Sequence, residues 1–148
     1  MIPARDEAET LAKTLEALQS IRSLSRIFVV DDGSRDATAE IARTLGAEVL
    51  PASPPGKNRG KGHALRAGLA LVRELSPDAF LLADADLGPS AGRLSHLIDA
   101  LDEDHPAVVA AFPPSAGPAA PAGGEAPTRP SSAAAATAAT ATQARNVG

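Results

Sequence analysis

Ala79-Phe-Leu-Leu-Ala-Asp-Ala-Asp-Leu-Gly88 is the stretch that decides how the rest of the chain is read. An apolar run, Ala79 to Ala83, leads straight into two carboxylates, Asp84 and Asp86, one residue apart. Pro77-Asp78 and Gly88-Pro89 bound it on either side. A short apolar run between such breakers reads as a strand buried on both faces, the kind parallel sheets contain. In open α/β sheets, ligands bind just past the carboxyl ends of the strands. The two acids therefore stand where such a fold places its chemistry. Paired carboxylates suit Mg²⁺ or Mn²⁺, hard cations that prefer oxygen ligands and share them with substrate phosphates. A solvated polar loop can also carry Asp-x-Asp, so the neighbouring segments have to decide.

Upstream, the same pattern recurs. Met1-Ile2-Pro3 reads as the end of a strand, with Pro3-Ala4-Arg5-Asp6 as the loop beyond it. A helix follows, with Asp6 and Glu9 in capping-box spacing and Leu11, Leu15 and Leu18 on one face. Arg26-Ile-Phe-Val-Val30 is a second strand, running into Asp31-Asp32-Gly33-Ser34. Ser34 or Asp36 is placed to cap a helix with Ala37, Ile41 and Leu45 inward, and Gly46 stops it. Ala47-Glu-Val-Leu50 is a third strand, and the next helix places Leu65, Leu69 and Val72 on one face. Downstream, a helix from near Ser90 turns Leu94, Leu97, Ile98 and Leu101 inward, and Ala107 to Phe112 is a fifth strand. Strict alternation of strand and helix predicts an α/β fold with a largely parallel sheet. Right-handed crossovers then gather the acidic loops at Pro3–Glu7, Asp31–Ser34 and Asp84–Gly88 on one sheet edge.

After Phe112 the composition changes. Ala, Pro, Gly, Ser and Thr fill residues 113–148 except at Glu125, Arg129, Gln143, Arg145, Asn146 and Val147. Such a segment buries too little surface to offset its ordering entropy. The expectation is a folded domain over 1–112 and a low-complexity, disordered tail over 113–148, with a weak helical leaning at Ser132–Arg145. The tail reads as a shifted frame or a truncated gene.

Composition narrows the function. The chain has 148 residues, 44% of them apolar but only 2% aromatic, with a formal charge of −4. That balance argues against nucleic acid as a partner. The absence of cysteine excludes disulfides, thiolate metal sites and a cysteine nucleophile. No apolar run approaches the ~20 residues that span a bilayer. The expected location is cytoplasmic, or at the cytoplasmic face of a membrane. One region runs against the overall charge: between Glu48 and Glu74 no acid occurs, while Lys57, Arg59, Lys61, His63, Arg66 and Arg73 do. Asn58-Arg-Gly-Lys-Gly-His63 precedes a helix, so its amides and Lys61 can face an anion. It is neither a Walker loop nor a Rossmann fingerprint, because the glycines have the wrong spacing.

Taken together, Ile2-Pro-Ala-Arg-Asp-Glu7, Val29-Val-Asp-Asp-Gly-Ser-Arg-Asp-Ala-Thr38, Asn58-Arg-Gly-Lys-Gly62 and Asp84-Ala-Asp86 occur in that order. The chain over residues 1–112 resembles the N-terminal, nucleotide-sugar-binding half of a family 2 glycosyltransferase of GT-A fold. It looks closest to the dolichyl- or polyprenyl-phosphate sugar transferases, and shares part of the pattern with glucosyl-3-phosphoglycerate synthases. The resemblance implies that Pro3, Ala4, Arg5 and Glu7 form the first nucleotide-contacting loop. It implies that Val30 and Asp32 form the second, that Lys61 lies near the diphosphate, and that Asp84 also contacts the nucleotide. Asp84 and Asp86 would bind Mg²⁺ or Mn²⁺ with a UDP- or GDP-sugar, and the acceptor would be a group such as polyprenyl phosphate. Metal-assisted sugar transfer follows as the expected activity.

Three departures accompany it. Asp6 stands where the family usually has Asn, the first strand is shortened to Met1-Ile2, and the acceptor half with its later acidic base has no counterpart. No catalytic base is assigned; His63, His96 and His105 read better as surface residues. Two alternatives remain at this stage. One is a non-catalytic nucleotide-binding fragment. The other is a phospho-receiver using Asp31, Asp32 and Asp84, against which stands the lack of any lysine after Lys61.

Overall fold

The computed structural model of the chain describes residues 1–101 in full and residues 107–111 and 138–143 as backbone strands. In chain order the elements are β1 (Ile2–Ala4), α1 (Leu11–Gln19), β2 (Phe28–Asp32), α2 (Thr38–Thr44), β3 (Glu48–Ser53), α3 (Lys61–Leu75) and β4 (Ala79–Leu82). A 3₁₀ segment, Gly88–Leu94, runs into α4 (Ser95–Asp99), followed by β5 (Ala107–Ala111) and β6 (Ala138–Gln143).

β1, β2 and β3 pair in parallel, with Ile2 opposite Val29 and Val29 opposite Val49. β6 lies between β4 and β5, antiparallel to both. Two backbone bonds join these groups at Met1. Its carbonyl accepts from Ala83 N–H at 3.1 Å and its nitrogen donates to the Leu81 carbonyl at 2.8 Å. The sheet therefore reads β3-β2-β1-β4-β6-β5. This is the largely parallel, alternating α/β layout of GT-A type that the sequence leads one to expect.

Period-two alternation sends neighbouring strand residues to opposite faces. Ile2 and Val29, both fully buried, join Leu11, Leu15 and Leu18 of α1 and Leu94 and Leu97 in one apolar core. Val30 points the other way, beneath α3. There the inward residues of α3 are Ala64, Gly68 and Val72. The leucine face expected for this helix is displaced, and Leu69 is 38% exposed. The reason is close approach: a Cβ on Gly68 would lie 3.0 Å from Val30 Cγ2 and would overlap the Met1 side chain. Small residues face the sheet because the helix axis lies too near it for leucine.

Helix starts also differ from expectation. α1 begins at Leu11 after a turn in which the Thr10 and Leu11 N–H groups donate to the Glu7 carbonyl. Asp6 does not cap it, and no side chain does. α2 likewise lacks a side-chain cap at Ala37, though Asp36 Oδ1 accepts from Thr38 N–H at 3.0 Å.

One segment after residue 112 pairs into the sheet. Ala138–Gln143 is a strand, with Leu82 opposite Thr140 and Val109 opposite the same residue on the other side. Alanine enrichment leans towards helix, but pairing from both sides overrides a weak local preference. Residues 113–137 and 144–148, and His105, lie outside the described residues.

Candidate active site at the carboxyl edge of the sheet

Each acidic loop leaves the carboxyl end of a parallel strand, so all three meet at one edge. They line a cleft of about 320 Å³ with Pro3, Ala4, Arg5, Glu7, Asp32, Lys61, Asp84 and Asp86 on its wall. These are the residues singled out from the sequence, with one exception. Val30 is fully buried and is a packing residue; its side chain does not reach the cleft. Asn58, Gly60, Ala64 and Ala85 also line it, and of these Ala64 and Ala85 carry no chemical signature legible in sequence.

The first loop is fastened to the second by its own amides. Asp6 N–H donates to Ser34 Oγ at 3.0 Å, Glu7 N–H to Thr38 Oγ1 at 2.8 Å, and Ala8 N–H to Asp36 Oδ2 at 3.0 Å. Asp6 has φ +51°, a left-handed conformation that Asn and Asp adopt more readily than other side chains. Its Oδ1 accepts from Arg35 N–H at 2.8 Å, the leading reason its carboxyl is held below the usual range. Asn could supply the same acceptor, which explains why Asp is tolerated at a position where the resemblance gives Asn. Arg5 donates through Nε to Asp6 Oδ2 at 3.3 Å, while its Nη1 is buried with no acceptor.

Asp32 is only 3% exposed and holds the basic loop. Its carboxylate accepts from Ser53 Oγ at 2.5 Å and from the amides of Gly60 at 2.8 Å and Arg59 at 3.3 Å. Burial alone would raise its pKa; the Ser53 hydroxyl and the two amides outweigh that and lower it. A carboxyl held low in the folded state stabilises the fold above its unfolded value, about 3.9. That contribution disappears as pH falls through the folded value. Asp32→Asn places an amide NH₂ where backbone N–H groups need an acceptor. The variant is expected to melt lower than wild type at pH 6 and to lose less further stability below about pH 4. Parallel acid melts of the two proteins check this; equal acid slopes would contradict it.

Lys61 opens α3, and its Nζ lies 2.5 Å from Asp84 Oδ1. Lys61 is 59% exposed and Asp84 20%, so solvent screens the pair, and such contacts contribute about 0–1 kcal/mol. The contact places an ammonium directly against the Asp84 carboxylate. Asp86 is exposed on the same cleft. Among the described residues no three His, Cys, Asp or Glu side chains gather as a metal-holding group. The receiver reading needs Asp31, Asp32 and Asp84 together, and they do not assemble: Asp31 instead accepts from the Ser34 amide and hydroxyl. His63 Nε2 is 2.9 Å from the Ala52 carbonyl, which gives it a structural partner.

The sequence is similar to those of known proteins. The family model described as "Glycosyl transferase family 2" matches residues 1–126. The 4,4'-diaponeurosporenoate glycosyltransferase of Staphylococcus haemolyticus is 34% identical over 59% of this chain and 23% of its own length. The glycosyltransferase AglJ of Haloferax volcanii is 29% identical over 74% of this chain and 34% of its own. The chain thus spans about a quarter to a third of these relatives. Among solved structures, mannosyl-3-phosphoglycerate synthase from Rubrobacter xylanophilus is 31% identical, with a TM-score of 0.49 over 57% of this chain and 29% of that one. The match of the family model runs through every loop that lines the cleft, and the chain belongs to glycosyl transferase family 2.

Proposed function

We propose that residues 1–112, with β6 completing the sheet, are the donor-binding part of a metal-assisted glycosyltransferase that uses a UDP- or GDP-sugar. The observation that carries this is the convergence of Arg5, Glu7, Asp32, Lys61, Asp84 and Asp86 from separate strand ends onto one cleft. In this reading Pro3, Ala4, Arg5, Glu7 and Asp32 surround the nucleoside. The orphaned Arg5 Nη1 supports it, since a buried donor without an acceptor is costly and a ligand oxygen would satisfy it.

Asp84 and Asp86 would hold Mg²⁺ or Mn²⁺. Two carboxylates fit such a cation, which completes its shell with substrate oxygens and water. When bound, the metal supplies charge neutralisation for the departing nucleoside diphosphate. Lys61, freed from Asp84, would turn its ammonium to the same diphosphate. The acceptor, with polyprenyl phosphate as one candidate, would enter from the open side of the cleft. No base is assigned. Among the described residues no helix is long and apolar enough to cross a membrane.

Calorimetric titration of UDP and of GDP into the full chain, with and without Mn²⁺, tests the reading. One Mn²⁺-dependent site is expected, with one of the two nucleotides preferred. A chain that melts cooperatively yet binds neither would overturn it.

A further inference from the structure

The apolar stripe of α1 contains one polar residue. Leu11, Leu15 and Leu18 face the core, and Thr14 lies on the same face, completely buried. A threonine inside a helix ordinarily returns its hydroxyl to a carbonyl one turn back. Thr14 does not. Its Oγ1 donates to the Ala85 carbonyl at 2.8 Å and accepts from the Gly88 N–H at 2.8 Å. Both partners belong to the acidic loop, more than seventy residues away along the chain. Ala85 stands between Asp84 and Asp86. Gly88 closes the loop in a left-handed conformation, φ +55°.

We infer that Thr14 is the positioning residue of the acidic pair, fixing Asp84 and Asp86 for the metal-diphosphate group by bridging the two ends of their loop. This rests on the donor-site reading above. The loop makes a single turn at Ala85–Asp86 and joins no strand ladder there, so the hydroxyl is what ties that turn to α1. Without it, the Ala85 carbonyl and the Gly88 amide both lose their partner, and the loop must move to satisfy them. A cation held by two protein carboxylates is sensitive to such movement, because groups that orient metal ligands matter nearly as much as the ligands. The surrounding stripe makes the device rigid: α1 is anchored by its leucines, so Thr14 cannot follow the loop.

The test compares Thr14→Val, which keeps the shape and removes the hydroxyl, with Thr14→Ser, which keeps the hydroxyl. UDP is titrated into each full-length protein with and without Mn²⁺, and amide hydrogen exchange at Gly88 is followed in the ligand-free proteins. The Val variant is expected to lose about tenfold or more of its Mn²⁺-dependent affinity, the scale seen for groups that orient metal ligands. Its Mn²⁺-free affinity should fall by much less. The Ser variant should keep the metal dependence. Gly88 should be protected in wild type and Ser and exchange freely in Val. Wild-type affinity in the Val variant, equal losses in both variants, or a freely exchanging Gly88 amide in wild type would each overturn the inference. Should wild type bind no nucleotide, the donor-site reading fails on its own, and Gly88 exchange still decides whether Thr14 holds the loop. Should the Val variant unfold, the Ser titration and the wild-type Gly88 amide decide.

Discussion

Exchange of Asp84 and Asp86 for asparagine, made together, is expected to remove the Mn²⁺-dependent part of nucleotide binding while leaving the fold in place. Loss of residues that merely orient metal ligands costs roughly 10–100-fold in affinity, and removal of the ligands themselves should exceed that. The fold should survive because neither acid supports it. The Asp84 contact to Lys61 is solvent-screened, and pairs of that kind contribute at most about 1 kcal/mol. A shift of only a few degrees in melting temperature is therefore expected. The free Lys61 ammonium would still favour anions, so weak metal-independent binding of UDP should persist. Titration and melting of the double variant beside wild type check both halves. Unchanged Mn²⁺-dependent affinity would remove the acids from the metal role.

Gly33→Ala should damage the fold itself. Gly33 follows the two acids at the end of β2 and has φ +75°, which costs an alanine about 1–2 kcal/mol. Space makes it worse. An added Cβ would lie 2.5 Å from both the Pro54 and Lys57 carbonyls, backbone atoms that a rotamer change cannot move aside. The turn at those residues is bonded to Gly33, through Gly56 N–H to its carbonyl at 2.8 Å. Displacing the turn would carry Gly60 away from Asp32, leaving a buried carboxylate short of a donor. The combined effect should be about 3 kcal/mol or more, a fall of roughly 12 °C or greater for a domain of this size. Gly60→Ala is the internal control. It has φ +87° and ψ 158°, a region open essentially only to glycine, but nothing within 4 Å of the added Cβ, so only the backbone term of about 1–3 kcal/mol applies. Equal melting temperatures for the two variants would show that the close approach at Gly33 is not what matters.

The strand-end acids were legible because chemistry and pattern coincide there. Apolar runs ending in Asp31-Asp32 and Asp84-Ala-Asp86 mark both a buried parallel strand and the edge at which it opens. Lys61 was legible through its glycines and the acid-free stretch around it. Helix faces were less so. Leu65, Leu69 and Val72 make a plausible stripe on α3, and Val72 does face inward, but the sheet is approached so closely that Ala64 and Gly68 face it in place of the two leucines. Periodicity finds a face; it does not report the distance to the neighbouring layer. The resemblance places Val30 in the second nucleotide loop, and strand alternation turns its side chain under α3. Thr14 was missed although it interrupts an apolar stripe, because its partners are set by tertiary contact. β6 was hidden for the same reason: nothing local in Ala138–Gln143 names β4 and β5 as its neighbours.

In the proposed function the carboxyl-edge cleft holds a nucleoside diphosphate with a divalent cation on Asp84 and Asp86. Paramagnetic broadening tests it most directly. Substoichiometric Mn²⁺ is added with UDP or GDP to isotope-labelled full-length protein, and the loss of each amide signal is followed. Ala85, Asp86, Gly60 and Lys61 are expected to broaden first, and only with nucleotide present, while Leu24 and Phe80 at the opposite end of the strands keep their signals. Broadening centred on that opposite end, or spread evenly along the chain whether or not nucleotide is present, would contradict it.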